Sequence, residues 1–164
     1  MHLHASRSPL RCVRGQSGVT LVEVMVVVII MGLISAMAIP RFVNRVSALR
    51  VGGAAGQLTA DIAYTRMLAV REGRTAALTL SGTNYTIVVE NSDGSVRRTL
   101  RTVKVASTYA GTTVTGSGGN GRVAFDSRGL LKANSTSEIT LSRLGRQQRL
   151  TISSIGRVIR ETAQ

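Results

Sequence analysis

GVTLVEVMVVVIIMGLISAMAI, residues 18–39, is the stretch that decides how this chain is organised. The 21 residues after Gly18 are mostly apolar, and their only ionisable group is Glu23. At about 1.5 Å of rise per residue, a helix over them is as long as the apolar core of a bilayer is thick. A carboxylate in such a segment is costly unless it has a partner, so we expect a membrane-spanning helix in which Glu23 is functional. The best candidate for its partner is an amine.

An amine lies in the right place if the chain is cut after Gly18. Val19 is then the N-terminus, Glu23 is the fifth residue and Pro40 is residue 22 of the mature chain. This arrangement resembles the type IV prepilin signal, in which a membrane-embedded aspartyl peptidase removes a short basic leader on the cytoplasmic side and the new N-terminus is methylated. The resemblance implies loss of residues 1–18, methylation of Val19, and assembly roles for Glu23 and Pro40. Val19 stands where that family usually has Phe or Met.

A secretory signal peptide and a plain membrane anchor are alternative interpretations of the same stretch. A signal peptide has an apolar region of about 7–15 residues that ends at a small-residue cleavage site. Here the run is longer and leads through Pro40 into helix-like sequence, so we rank these alternatives second. The positive-inside rule does not choose the orientation. Arginines precede the run at positions 7, 11 and 14 and follow it at positions 41, 45 and 50.

Composition excludes several catalytic chemistries from the mature chain. The sole cysteine, Cys12, and both histidines, His2 and His4, fall in the leader. A processed chain therefore offers no disulfide, thiolate nucleophile, histidine base or Cys/His zinc site. The glycine-rich segment 116–121 lacks the strand-to-helix context of a phosphate-binding loop. We predict no enzyme activity, no cofactor and no metal site.

The charge balance is strongly basic. The chain carries 21 Lys and Arg against 8 Asp and Glu, a net charge of +13, and loss of the leader with its three arginines leaves +10. Such a balance permits attraction to nucleic acid, anionic lipid or an acidic protein neighbour, and by itself it selects none of them.

A helical period continues beyond the apolar run. It predicts one helix from about Thr20 to Arg71, made of a transmembrane and assembly part over residues 19–40 and an amphipathic part over 41–72. The apolar stripe of the second part comprises Phe42, Val46, Leu49, Leu58, Ile62, Thr65 and Ala69, while Arg45, Arg50, Asp61, Arg66 and Arg71 lie mostly elsewhere. The glycines at 52, 53 and 56 indicate either a break or a close approach of another element. Pro40 is expected to kink or loosen the helix, and Gly73 to cap it.

Beyond Gly73 the period changes to about 2, which indicates strands. Runs of β-branched and apolar residues occupy 75–80, 85–90, 96–106, 112–114, 122–125, 138–142, 149–153 and 157–159. A helix followed by a run of strands predicts an α+β fold. In it the long N-terminal helix packs on residues 73–164, which form an antiparallel sheet or sandwich.

Two segments of the strand region narrow the resemblance. VAFDSRG, residues 123–129, and LTISSIGRV, residues 150–158, are similar to a strand with its turn and to the C-terminal strand of GspH/FimT-type minor pseudopilins. The resemblance implies a pilin-like fold and a structural subunit, with other pseudopilins or pilins, the prepilin peptidase and an inner-membrane assembly platform as partners. It also implies a single-pass protein of the bacterial inner membrane with its C-terminal domain in the periplasm. We interpret Phe125 as a core residue and Gly129 and Gly156 as turn residues.

Two functions are compatible with this resemblance. The first is a minor pseudopilin of a type II secretion system, or its type IV pilus equivalent, which packs its N-terminal helix into a fibre that helps to export folded proteins. The second is a FimT-like minor type IV pilin that takes part in pilus assembly and DNA uptake.

The spacing of the C-terminal arginines bears on the second function. In FimT-like pilins a Gly-Arg-x-Arg element carries the DNA contacts, whereas here Arg157 and Arg160 are three residues apart. On a strand this spacing sends the two side chains to opposite faces. We therefore rank DNA binding second, with Arg143, Arg146 and Arg149 as assisting contacts.

Overall fold

The computed structural model describes residues 18–163, which divide into a first unit ending at Ile39 and a second unit beginning at Pro40. The predicted leader lies outside the described residues except for Gly18, and so do Cys12 and both histidines. Its removal stays a prediction.

Helix α1 spans Leu21–Glu72, one residue later at each end than the periodicity predicts, and contains Pro40. Gly73 closes it as predicted, with a φ of 61°. The Gly73 N–H donates to the Val70 carbonyl at 3.3 Å, and the Arg74 N–H donates to the Ala69 carbonyl at 3.2 Å. These two bonds satisfy carbonyls that a helix end otherwise leaves open.

Of the first unit, the structure describes the start of α1 and the three residues that precede it. Every described residue from 18 to 39 is exposed. Among the residues that the structure describes, α1 is the one helix long and apolar enough to cross a membrane by length and composition.

In the second unit, strands pair into two four-stranded antiparallel sheets within the described range. Sheet A has the order β3-β2-β1-β5, and sheet B has the order β4-β6-β7-β8. The strands are β1 (Ala76–Ser81), β2 (Asn84–Glu90), β3 (Val96–Lys104), β4 (Thr113–Ser117), β5 (Arg122–Phe125), β6 (Glu138–Arg143), β7 (Arg146–Ile152) and β8 (Val158–Ala163). A short helix α2 (Val105–Thr108) and a 3-10 turn (Gly119–Gly121) connect them. The predicted α+β fold, a long helix packed on antiparallel sheets, is confirmed.

The glycine-rich part of α1 does not break the helix. Ala54 and Ala55 are buried there. A Cβ on Gly53 would lie 3.0 Å from a ring carbon of Tyr109, so the small residues let the segment after α2 come close to the helix. Of the two outcomes left open by the sequence, close approach is the one observed.

The apolar stripe of α1 differs from the prediction at its start. Phe42 and Leu49 are 69% and 76% exposed, whereas Ser47 and Val51 are buried. From Leu58 onward the predicted stripe is the buried one. Phe42 precedes Ser47, the first buried residue of α1, and so has no core to join. Leu49 lies two residues from both Ser47 and Val51, which places it on the opposite, exposed face of the helix.

Strand β3 ends two residues before its predicted end. The chain then turns through α2, where the Tyr109 N–H donates to the Val105 carbonyl at 2.8 Å. This turn buries Val105 in the core and brings Tyr109 against the helix. Periodicity did not reveal it, because Val105 and Ala106 continue the apolar pattern of the strand.

Candidate functional site

The N-terminus of α1 is capped by a local side chain. Thr20 precedes the first helical residue, and its Oγ1 accepts a hydrogen bond from the Glu23 N–H at 3.2 Å. The Thr20 carbonyl accepts from the Val24 N–H at 3.3 Å. A threonine followed three residues later by a glutamate is the pattern of a capping box. The capping role of Thr20 was readable in the sequence and was not predicted.

The Glu23 carboxylate has no ion pair with any residue between 18 and 163. Its place in the first turn of α1 is favoured by the helix dipole. A carboxylate on an apolar surface still needs a counter-charge when water is excluded. Within the described residues no cation forms an ion pair with Glu23.

The apolar surface around Glu23 is uncovered. From Val19 to Ile39 the large apolar side chains are between about half and three-quarters exposed. Contiguous apolar surface of this extent marks a membrane or protein contact. The segment therefore has the chemistry of an assembly or membrane element, with Gly18 and Val19 just before the helix and Pro40 within it.

Two of the five candidate DNA-contacting arginines meet at the β6–β7 hairpin. Arg143 and Arg146 are direct cross-strand partners, so their side chains lie on the same face. Arg146 is exposed, and the Nη1 atom of Arg143 is buried without a hydrogen-bond acceptor among the described residues. Like charges directly opposite each other are unfavourable unless an anion lies between them.

Arg149 lies on the outer face of sheet B. Its Nε is 2.9 Å from Oε1 of Glu138, and Glu161 is its cross-strand partner on β8. Two carboxylates on the same face thus offset its charge. Arg149 is therefore less suited to a phosphate than an unpaired arginine.

The two C-terminal arginines, Arg157 and Arg160, lie in different environments. Arg157 lies in the turn before β8, where its N–H donates to Ser153 Oγ at 3.0 Å. Arg160 is the cross-strand partner of the buried Leu150, and its Nη1 lies 3.9 Å from where a Cβ on Gly56 would be. Arg160 thus points toward helix α1, and Arg157 lies at the end of sheet B opposite the β6–β7 hairpin. The five arginines do not form one continuous strip.

A buried polar cluster joins α1 to sheet A, and the sequence analysis missed it. Asp61, which the periodicity set apart from the apolar stripe, is only 5% exposed. Its Oδ2 accepts hydrogen bonds from the Tyr85 hydroxyl at 2.5 Å and from Gln57 Nε2 at 3.2 Å, and its Oδ1 accepts from Arg101. Burial and the Asp61 carboxylate hold the pKa of Tyr85 well above its usual range. The i, i+4 spacing of Gln57 and Asp61 was the one available sequence signal.

The loops that contain Gly129 and Gly156, in the two motifs similar to those of the family, both lie against Arg66 of α1. Arg66 Nε donates to the Gly129 carbonyl at 3.0 Å. A Cβ on Gly156 would lie 2.8 Å from Arg66 Cδ and 3.0 Å from Phe125 Cε1. Gly129 and Gly156 have φ values of 79° and 75°, so the prediction of turn residues is confirmed. Phe125 is fully buried, as expected.

Comparison with protein-family models gives two matches. Residues 54–156, more than half of the chain, match the model described as type II transport protein GspH. Residues 13–39 match the model of the prokaryotic N-terminal methylation motif. The first range covers α1 from Ala54 onward and strands β1 to β7, and the second covers the apolar run with Glu23. No curated protein sequence matches the chain.

Comparison with solved structures identifies a similar fold. Two crystal forms of the type IV minor pilin FimU of Pseudomonas aeruginosa strain PAO1 match, with TM-scores of 0.57 and 0.51 and identities of 21% and 22%. The alignments cover 70% and 69% of this chain and 92% and 97% of the pilin. At this identity the likeness is one of fold.

Proposed function

This chain belongs to the GspH family of type II transport proteins, and from that premise we propose that it is a minor pseudopilin of a type II secretion system. In this role it is cleaved between Gly18 and Val19 by a prepilin peptidase, and Val19 is methylated. The apolar helix anchors it in the bacterial inner membrane with the β domain in the periplasm. An assembly platform then moves it into a pseudopilus that helps to export folded proteins. The chain acts as a structural subunit, without catalysis.

The observation that carries this proposal is the uncovered apolar helix with a single unpaired carboxylate. A plain anchor gives Glu23 no role, whereas a fibre of stacked helices gives its carboxylate a partner in a neighbouring subunit. When the helices pack in a fibre, the amine of Val19 in one subunit and the Glu23 carboxylate of a neighbour neutralise each other. Because that pair forms at one offset along the helix, it fixes the axial register of the subunits.

A type IV pilus is the second candidate system. The likeness of the fold to a type IV minor pilin supports it, and a minor pilin uses the same helix packing. DNA uptake in the manner of FimT-like pilins belongs to this alternative. The dispersal of Arg143, Arg146, Arg149, Arg157 and Arg160 over different faces and ends of sheet B argues against a dedicated DNA site.

Deletion of the gene in its host, with complementation, tests the proposal. We expect loss of one or more secreted proteins from the medium and normal surface pili, both restored by the wild-type chain. Loss of pili or of transformation with intact secretion would favour the alternative. Intact-mass analysis of the membrane-extracted chain should give a methylated protein beginning at Val19. Recovery of only the uncleaved chain from cells with active peptidase would contradict the processing step.

A further inference from the structure

A basic cleft lies where the second unit begins. Its volume is about 500 Å³, and it is lined by Arg41, Asn44, Arg45 and Ala48 of α1 and by Arg146 of the β6–β7 hairpin. All five residues are exposed. Arg41 and Arg45 are one helical turn apart on the same face, and Arg146 approaches them from β7.

The charge in this cleft is not compensated within the described chain. None of Arg41, Arg45, Arg143 and Arg146 forms an ion pair with an acid between residues 18 and 163. Four of the eight acidic residues are engaged with arginines elsewhere: Asp61, Glu72, Glu90 and Glu138. The acids thus neutralise other parts of the domain and leave the cleft cationic.

One like-charge pair lines this cleft, and a second pair has one member, Arg146, in its lining. Arg41 and Arg45 repel each other at the i, i+4 spacing of a helix, and Arg143 and Arg146 repel each other across the hairpin. An anion in the cleft relieves the repulsion among the arginines that line it, and the guanidinium group is the side chain best suited to phosphate oxygens.

The position of the cleft in the chain indicates where such an anion comes from. Arg41 and Arg45 follow Ile39, the last residue of the apolar run, by two and six residues. At about 1.5 Å per helical residue these separations are about 3 and 9 Å, similar to the thickness of the headgroup layer on one side of a bilayer. A phospholipid phosphate is the anion present at that depth.

We propose that this cleft binds the phosphate of an anionic phospholipid at the surface of the membrane that residues 19–39 span. The inference rests on the proposed function only in requiring that the apolar run is embedded in a bilayer. Duplex DNA fits the arrangement less well. A DNA backbone needs cations spread along a track, whereas these arginines converge on one point. Bound lipid holds the start of the second unit at the membrane surface until the subunit leaves the bilayer.

The test uses the full chain in neutral detergent micelles, titrated with phosphatidylglycerol or phosphatidylcholine at low salt, with bound lipid counted by native mass spectrometry. We expect tighter binding of phosphatidylglycerol. Each arginine near an anionic surface contributes about fivefold, so the variant R41Q/R45Q/R146Q should bind phosphatidylglycerol on the order of a hundredfold more weakly. The control variant R71Q/R97Q/R128Q removes the same charge from exposed positions elsewhere and should retain the wild-type affinity.

Several results would overturn the inference. Equal affinity for the two lipids would show that the anionic headgroup is not selected, and an equal loss in both triple variants would show that only net charge acts. Displacement of the lipid by an equal concentration of inorganic phosphate would contradict a lipid ligand. Retention of a duplex DNA that depends on the three cleft arginines, without preference for phosphatidylglycerol, would assign the cleft to nucleic acid. The lipid titration does not require fibre assembly. Its result can therefore still be interpreted if the chain proves not to be a pseudopilin subunit.

Discussion

Replacement of Asp61 by alanine is predicted to destabilise the second unit more than loss of any surface ion pair. The Asp61 carboxylate accepts hydrogen bonds from Tyr85, Gln57 and Arg101. Tyr85 is 1% exposed, so without Asp61 its hydroxyl is left buried and unpaired. The side chain of Arg101 is 48% exposed, and water can therefore replace its lost partner.

The expected loss of stability follows from the burial of Tyr85 and the partial exposure of Arg101. A buried donor left unsatisfied costs about 1–3 kcal/mol. The half-exposed ion pair with Arg101 adds no more than about 1 kcal/mol, because solvent screens it. We expect Asp61→Ala to lower the free energy of unfolding by about 3 kcal/mol. Asp61→Asn keeps an acceptor for Tyr85 and should cost about half as much.

Urea unfolding of residues 40–164, which contain the whole hydrophobic core, measures this difference. Glu72→Ala is the matched control, because Glu72 also joins α1 to β3 but its partner Arg98 is 58% exposed. We expect this control to lose about 0.5 kcal/mol. If Asp61→Ala lost no more than Glu72→Ala, the cluster would not hold the helix on sheet A as argued here.

Three further predictions concern the second unit. The pKa of Tyr85 is raised above its usual 10.0 by burial and by Asp61, so only the unfolded chain loses this proton just above pH 10. Stability should therefore fall above pH 10 by up to about 1.4 kcal/mol per pH unit, and Tyr85→Phe should reduce that slope in urea titrations; identical slopes would contradict the burial of the hydroxyl. Gly156→Ala should cost about 2–3 kcal/mol, because it adds crowding to the strain of a positive φ, while Gly94→Ala, which meets no atom within 4 Å, should cost about 1 kcal/mol; equal thermal shifts would refute the close approach. Electrophoretic DNA binding by the second unit should be weak, steeply salt-dependent and little changed by alanine at Arg157 and Arg160, and tight tail-dependent binding near 0.15 M salt would make DNA uptake the leading function.

The sequence predicted the elements whose pattern is local. Helix α1 and the start of each strand in sheet A follow from the change of period after Gly73 and from the turn residues between the strands. Gly73 and Gly129 were predictable because a positive φ selects glycine in turns.

Features that depend on distant parts of the chain were not predictable. Burial of Asp61 requires Tyr85 and Arg101, which lie 24 and 40 residues away. Exposure of Phe42 depends on where the core begins to cover α1, and exposure of Leu49 depends on which face of the helix is covered. The full length of β8 depends on pairing with β7, because its own residues show little apolar alternation. A one-dimensional pattern contains no information about these contacts.

The candidate site was predictable only in part. The apolar run and Glu23 stand out because charge within such a run is rare. The converging arginines at positions 41, 45 and 146 did not stand out, because more than a hundred residues separate the helix from the hairpin. Nineteen of the 21 basic residues are arginines, so no single one is conspicuous in the sequence.

The central claim is that the apolar helix packs against neighbouring subunits through a register fixed by Glu23. Photocrosslinking in the host membrane from a probe at Val28, an exposed position of this helix, tests it most directly. We predict crosslinks to other pilin-like subunits that disappear with Glu23→Ala and persist with the control Glu161→Ala, at equal amounts of processed chain. Crosslinks to such subunits that persist unchanged with Glu23→Ala, or crosslinks to lipid alone in the wild type, would contradict it.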